Sequence, residues 1–192
     1  MARTKAFNES EVLDKAMTLF WRKGYFDTSM QDLVDHTGLS RSSIYDTFTD
    51  KYGLFLATLS FYREQYELRL PDQENLDLRR FLSSFLEAIV TNKGSKEEIK
   101  GCYLVNCTVE LAATDPEVRS IVNGNMQVFT SRFASLFELH QDLGKIAKEK
   151  DVEALANLLY SSVSSIKMLS KSNVDKKVLQ DIADTTLRAI LD

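Results

Sequence analysis

The sequence predicts an all-α protein with a small N-terminal helix-turn-helix head followed by a larger helical domain. Three observations support this class. The 192 residues include only 2 prolines and 7 glycines, so breaks in regular structure are few. Apolar residues recur at helical spacing along most segments. Hydrophobic residues make up 44% of the chain and aromatic residues 10%, which is enough apolar material for a packed core.

The first two helices are predicted from capping residues and from the spacing of their apolar residues. Asn8 can cap a first helix over about residues 8–23. Thr28 with Gln31 fits the capping-box pattern, in which two side chains satisfy free amides at a helix start. The second helix should therefore be short and cover about residues 29–36.

A turn centred on Gly38 separates the second helix from a third, which Ser40 can cap and which should end near Thr47. Two short helices joined by a glycine-containing turn form the helix-turn-helix pattern, whose second helix enters the major groove of DNA. Ile44 is the expected apolar anchor, and Arg41 lies in a serine-rich first turn whose amides can meet phosphates or base edges. A generic helical hairpin with a serine-rich corner is the open alternative.

Six more helices complete the predicted plan. Asp50 can cap the first of them, and Pro71 should end it. Asp115 followed by Pro116 is typical of a helix start. The expected ranges are about 51–69, 76–92, 101–113, 115–143, 152–170 and 174–191.

Charge limits how this protein could contact nucleic acid. The net charge is −4, and the acidic residues of the first 51 positions slightly outnumber the Lys and Arg residues there. Any DNA contact must therefore depend on a few placed cations, backbone amides and hydroxyl groups rather than on bulk charge.

The chain lacks the marks of membrane proteins and secreted proteins. No segment reaches the roughly 20 apolar residues that a membrane helix needs. The N-terminus has no apolar stretch typical of a secretory signal. Two cysteines do not make a disulfide framework. These features predict a cytoplasmic protein.

An enzyme is not expected. Neither His36 nor His140 lies in a pattern typical of a metal site or a catalytic triad, and the chain has no glycine-rich phosphate loop. A cysteine–histidine nucleophile stays open, but nothing favours it. No cofactor and no metal are therefore predicted.

One spaced pattern runs through the N-terminal helices. It reads Phe20-x-x-x-Gly24-Tyr25-x-x-Thr28-Ser29-Met30-x-x-Leu33, then Gly38-Leu39-Ser40-x-Ser42-x-Ile44-Tyr45-x-x-Phe48-x-x-Lys51-x-x-Leu54. Over about residues 7–60 this pattern resembles the signature of the TetR family of transcription repressors. The resemblance implies a three-helix DNA-binding domain over residues 1–50, and an effector-binding and dimerisation domain of six helices over residues 51–192.

The resemblance also implies how operator DNA would be held. Arg3 and Lys5 would form a short arm toward the minor groove. Asp46 departs from the family pattern, which puts the operator sequence in doubt more than DNA binding itself. The residues implied to contact double-stranded operator DNA are Thr28, Ser29, Ser40, Arg41, Ser42, Ser43, Tyr45, Thr47 and Lys51.

In such repressors the larger domain forms the homodimer and binds a small-molecule effector. The last two helices carry wide apolar stripes, which would form an isologous four-helix interface or, alternatively, pack on their own chain. The predicted interface residues are Leu155, Leu159, Ser162, Val163, Ile166, Ile182, Leu187 and Ile190. The effector-pocket candidates, which are equally suited to a core, are Phe81, Phe85, Cys102, Tyr103, Asn106, Phe129 and Phe133.

The motif Gly101-Cys102-x-x-x-Asn106-x-x-x-Glu110 resembles a subgroup that includes sensors of reactive electrophiles and quinones. Cys102 would lie in the first turn of its helix, where the helix dipole favours a thiolate. Cys107 should not bond to it, because five positions on one helix separate the two sulfurs by about 140°. The alternatives are that both cysteines are small buried residues, and that the protein is a helical interaction module without DNA binding.

Overall fold

The computed structural model describes residues 7–71, 75–91, 101–172 and 174–192. These residues form nine helices and no strand, which confirms the all-α prediction. No helix in these ranges is long and apolar enough to span a bilayer. The helices are α1 (Glu9–Lys23), α2 (Met30–Thr37), α3 (Arg41–Phe48), α4 (Lys51–Gln65), α5 (Leu78–Val90), α6 (Tyr103–Glu110), α7 (Pro116–Asp142), α8 (Val152–Ser170) and α9 (Lys176–Leu191).

The start of α2 differs from the prediction by one residue. Ser29, not Thr28, is the N-cap: its hydroxyl accepts from the Asp32 amide at 3.0 Å, and Asp32 accepts from the Ser29 amide at 2.8 Å. The predicted Thr28–Gln31 capping box is therefore wrong. Thr28 instead donates its hydroxyl to the Gly24 carbonyl at 2.6 Å, which leaves it buried beneath the turn.

The turn between α2 and α3 is as expected. Gly38 has a φ of 78° in the left-handed region, where glycine has no Cβ penalty, and its amide closes α2 on the Val34 carbonyl. Ser40 caps α3 through the Ser43 amide at 3.1 Å. Ile44 is fully buried below the helix, as predicted.

Helix α4 ends at Gln65, not near residue 69 as predicted from Pro71. The chain leaves the helix because the following segment has other partners. Leu68 packs against the hydrophobic core of the C-terminal part, and its carbonyl accepts a hydrogen bond from the Arg132 guanidinium. The Leu68 carbonyl therefore has a hydrogen-bond partner without a further turn of α4.

The chain divides into two compact units, residues 1–67 with 106–121, and residues 68–105 with 122–192. In the first unit Phe20 and Phe55 meet edge to face at 5.3 Å between ring centroids. In the second, α5, α8 and α9 pack together, and Thr186 on α9 donates to Ser162 on α8 at 2.8 Å in the interior. The functional boundary predicted at residue 50 stays a prediction, since these units describe packing and not DNA reading.

Candidate DNA-binding surface

Helix α3 has one buried face and one exposed polar face. Ile44 is 0% exposed and Phe48 only 8%, so both anchor the helix on the head. Tyr45 is 45% exposed on the opposite side, with Arg41 and Ser42 exposed beside it. A short helix anchored in this way can present its outer side chains to base edges in the major groove.

The first turn of α3 is organised by serine hydroxyls. The Ser40 Oγ lies 2.9 Å from the Oγ atoms of both Ser42 and Ser43, as well as capping the Ser43 amide. Ser43 and Thr47 are half-buried, while Ser40 is exposed. The turn therefore combines hydroxyl groups with the positive end of a helix dipole, a combination that suits phosphate oxygens.

The two residues predicted at the start of α2 have different positions. Ser29 is exposed, and its hydroxyl also donates to Asp32 at 2.6 Å. Lys23 lies 2.9 Å from the same Asp32 carboxylate, and these partners hold the pKa of Asp32 below its usual range. Thr28 is 0% exposed, so the structure does not present its side chain on this surface, and a direct phosphate contact by that side chain is not supported.

Lys51 opens α4, and its ammonium group lies 4.4 Å from the centre of the Tyr25 ring. This distance is within the range of an attractive cation–π contact, which holds the ammonium group against the ring. Burial lowers the pKa of Lys51, and the carboxylates of Glu110, Asp27 and Asp32 act in the opposite direction. Tyr25 was not among the predicted site residues, although the signature pattern included it.

Most of the predicted DNA contacts thus lie on or beside α3 and at the start of α4. The predicted arm residues Arg3 and Lys5 lie outside the described residues. The exposed acid Asp46 stands next to Tyr45 in α3 and adds a hydrogen-bond acceptor with a negative charge to this surface.

The structure places the predicted effector residues in more than one part of the protein. Phe129 and Phe133 meet at a tilt within an aromatic cluster, with 4.7 Å between their ring centroids, and Phe133 is fully buried. Tyr103 is also buried, and Asn106 belongs to the first compact unit. The other members of the aromatic cluster are Phe81, Phe85, Phe137 and Tyr160.

Tyr160 is a candidate that sequence reasoning missed. Its ring meets Phe129 at 5.4 Å, and the pKa of its hydroxyl is raised, first by burial and then by electrostatic interaction with Cys102. Tyr160 therefore adds a residue of α8 to the aromatic cluster. Cys102 is half-buried and Cys107 is buried, and no disulfide joins them.

A cavity of about 500 Å³ opens elsewhere in the second unit, and none of the predicted effector residues lines it. Its wall includes Asp77, Lys145 and the buried His140. Arg79 also lines it and forms an ion pair with Asp192 at 2.5 Å.

The predicted dimer residues mostly face inward. Leu159, Ser162, Val163, Ile166 and Ile190 are buried within their own chain, where they belong to the core of the second unit or border it. Leu155, Ile182 and Leu187 are partly buried against the same core. For these positions the structure matches the alternative in which the stripes pack on their own chain.

Two family models match the chain and together span both units. The model described as bacterial regulatory proteins, tetR family, matches residues 12–58. The model described as tetracyclin repressor-like, C-terminal domain, matches residues 78–186.

Curated proteins and solved structures agree with these matches. The chain is 30% identical to the HTH-type transcriptional repressor ComR of Escherichia coli K12, over 97% of this chain and 90% of that protein. It is 29% identical to the uncharacterized regulator YezE of Bacillus subtilis 168, over 99% and 100%. A cysteine mutant of the TetR family regulator CifR, complexed with 26 bp double-strand operator DNA, shares the fold with a TM-score of 0.79 at 23% identity, covering 98% of this chain and 100% of that one.

Proposed function

This chain belongs to the TetR family of bacterial transcription regulators, and from that premise we propose that it represses transcription as a homodimer on a palindromic operator. The observation that carries the proposal is the exposed polar face of α3, held by the buried Ile44 and Phe48. Two such heads related by a two-fold axis would read two half-sites about one helical turn of DNA or more apart.

Few cations support phosphate binding on each head. Arg41 is exposed on α3, and Lys51 stands at the N-terminus of α4 beside the Tyr25 ring. If these two residues each neutralise one phosphate per head, a dimer neutralises four. The logarithm of affinity should then fall against the logarithm of salt concentration with a slope of roughly −3 to −4, and a salt-independent affinity would contradict the proposal.

The proposed dimer uses the outward faces of α8 and α9. Leu158, Met168 and Val178 are apolar but 40%, 49% and 43% exposed, and exposed apolar patches are typical of interfaces. They fall in heptad-like series that cover about 80° of α8 and about 60° of α9. On α8 the series is Ala154, Leu158, Ser161, Ser165 and Met168, and on α9 it is Val178, Ile182, Thr185 and Ala189.

The first test is footprinting of DNA upstream of the gene that encodes this chain and upstream of its neighbours. We expect a palindromic footprint for the wild type and at least tenfold weaker binding for Tyr45→Ala and for Lys51→Ala. Lys51→Ala should weaken specific and non-specific DNA alike and reduce the salt slope by about one for each lost phosphate contact. The control is Lys148→Ala, which removes an exposed cation in the second compact unit.

A footprint that survives both substitutions would contradict the assignment of these residues to DNA. If the folded wild-type dimer gives no footprint, with or without cell extract to supply a co-repressor, the helical interaction module becomes the better interpretation.

Release by a small-molecule effector completes the proposed cycle. An effector that prefers a head spacing unsuited to the operator lowers DNA affinity by its differential affinity for the two states. The aromatic cluster around Phe129 and the polar cavity near His140 are the two candidate places for such a ligand in the second unit.

Cysteine-based sensing is the alternative form of release, and the half-buried Cys102 is more accessible to a reagent than the buried Cys107. We expect N-ethylmaleimide or a quinone to abolish operator binding by the wild type and by Cys107→Ser but not by Cys102→Ser. The measurement is operator binding before and after treatment, with mass spectrometry to identify the modified thiol. Equal sensitivity of Cys102→Ser and wild type would reject this alternative.

A further inference from the structure

Asn106 and Glu110 lie four residues apart, on one face of α6, and both bond to the chain at the end of α1. The Asn106 amide donates to the Trp21 carbonyl at 3.4 Å. One Glu110 carboxylate oxygen accepts from the Tyr25 amide at 3.1 Å, and the other accepts from the Phe26 amide at 2.9 Å. All of these residues belong to the first compact unit.

The geometry after α1 explains why a carboxylate is needed there. Gly24 ends the helix with a φ of 87°, and its own amide bonds the Phe20 carbonyl at 2.8 Å. The next two amides meet the two Glu110 oxygens as charge-assisted bonds, which are about twice as strong as neutral ones. A Cβ at Gly24 would stand 3.0 Å from both oxygens, so glycine also permits this close approach.

The segment held by Glu110, residues 24–28, supports two parts of the candidate DNA surface. The Tyr25 ring carries the Lys51 ammonium group at 4.4 Å. Thr28 bonds the Gly24 carbonyl at 2.6 Å directly before the N-cap of α2. A shift of this segment would therefore displace Lys51 and the start of α2 together.

A second set of bonds ties the neighbour of Lys51 to the same part of the chain. Tyr52 donates its hydroxyl to Asp115 at 3.1 Å, and Glu117 lies within 3.4 Å of the same hydroxyl. Asp115 in turn caps α7 through the amides of Glu117 and Val118. Residues 106–121 thus hold the surroundings of Lys51 at two points. Glu110 holds the backbone at Tyr25 and Phe26, and Asp115 holds the hydroxyl of Tyr52.

We propose that Glu110 is a positioning residue for operator binding, whose carboxylate fixes the 24–28 segment so that Lys51 and the N-terminus of α2 meet the phosphate backbone. The proposal rests on the proposed function of DNA binding. It gives the Asn106 and Glu110 positions of the Gly-Cys motif a role in the head, separate from any role of Cys102 in sensing.

Charge and positioning make opposite predictions for Glu110→Gln. Removing an acid from a DNA-binding head should strengthen binding if only net charge matters. Loss of positioning should weaken it, because glutamine has one acceptor oxygen and would direct its NH₂ group at one of the two amides. We expect operator affinity to fall about tenfold. Glu138→Gln, an exposed acid of α7 in the second unit, is the matched control and should bind as the wild type does.

A double-mutant cycle separates positioning from general loss of structure. If Glu110 acts through Lys51, adding Glu110→Gln to Lys51→Ala should cost much less than it does in the wild type, whereas independent structural damage would be additive. Amide hydrogen exchange at Tyr25 and Phe26 should also accelerate in Glu110→Gln. Should Glu110→Gln fold poorly, Glu110→Asp keeps the charge with a shorter reach and should lose affinity in the same direction.

The outcomes are distinguishable. Undiminished operator binding by a folded Glu110→Gln variant, with a normal wild-type footprint, overturns the positioning role and leaves the proposed function intact. Additive losses in the cycle also overturn it. Absence of any wild-type footprint overturns both.

Discussion

Replacing Leu158 with arginine is expected to leave the chain folded but monomeric, and to lower operator affinity roughly 100-fold. Leu158 is 40% exposed on the outward face of α8, so arginine fits the isolated chain without entering its core. In an isologous dimer the substitution occurs twice across the two-fold axis, and it brings two like charges into an apolar contact. A monomer binds one half-site and loses the gain in effective concentration that links the two heads.

The measurement is sedimentation equilibrium together with footprint titration. Val128→Arg serves as the control, because Val128 is 43% exposed on α7 and lies outside the proposed faces. A Leu158→Arg protein that remains dimeric and binds the operator normally would mean that the dimer uses another surface.

Replacing Phe133 with alanine is expected to destabilise the protein by about 3–5 kcal/mol. Phe133 is fully buried in the second unit, where its ring lies 4.7 Å from Phe129 and 5.5 Å from Phe85. Truncation removes both the buried ring and its aromatic contacts, and the surrounding rings cannot close the cavity without leaving their own packing positions.

Chemical denaturation at one fixed protein concentration measures this loss, since the stability of a dimer depends on concentration. Val128→Ala is the matched control on the same helix: Val128 is 43% exposed, and its truncation should change the free energy of unfolding by less than about 0.5 kcal/mol. A loss of similar size in the control, or none for Phe133→Ala, would contradict the assignment of Phe133 to the core. Because the Phe133 ring is fully buried, a ligand could take its position only if that ring moved.

The helices of the head were predictable because their signals are local. Asn8, Ser40 and Asp50 cap the helices for which they were predicted, since each needs only a side-chain oxygen within three residues of a free amide. The start of α2 was misassigned because Thr28-x-x-Gln31 and Ser29-x-x-Asp32 both fit a capping pattern. The choice between them is made by the Gly24 carbonyl, which takes the Thr28 hydroxyl, and periodicity carries no information about that contact.

The residues predicted for the dimer interface show a different limit of prediction from sequence. Helix α8 is apolar or small on two sides, so its pattern does not say which side faces its own chain. Leu159 and Ile166 proved to be core residues, whereas Leu158 and Met168 face outward. Distinguishing the two faces requires the positions of α5 and α9, which are long-range facts.

The residues of an effector pocket were the part of the candidate sites that the sequence predicted least well. Aromatic side chains at helical spacing suit a core and a hydrophobic pocket equally, and Phe133 is core. Asn106 was assigned to the pocket because of its motif, but its amide bonds the Trp21 carbonyl at 3.4 Å. Only a contact between residues 85 positions apart could reveal this, and no local pattern encodes such a contact.

The first compact unit is discontinuous in sequence, because it joins residues 1–67 to residues 106–121. This matters for the construction of chimeric regulators. A single crossover after residue 67 would set the donor's segment 24–28 against the recipient's α6, whose side chains at positions 106 and 110 need not match it. Three crossovers, after residues 67, 105 and 121, would also transfer residues 106–121 and so move the unit intact. The part that can be exchanged between regulators is therefore defined by the hydrogen bonds of Glu110 rather than by the order of residues along the chain.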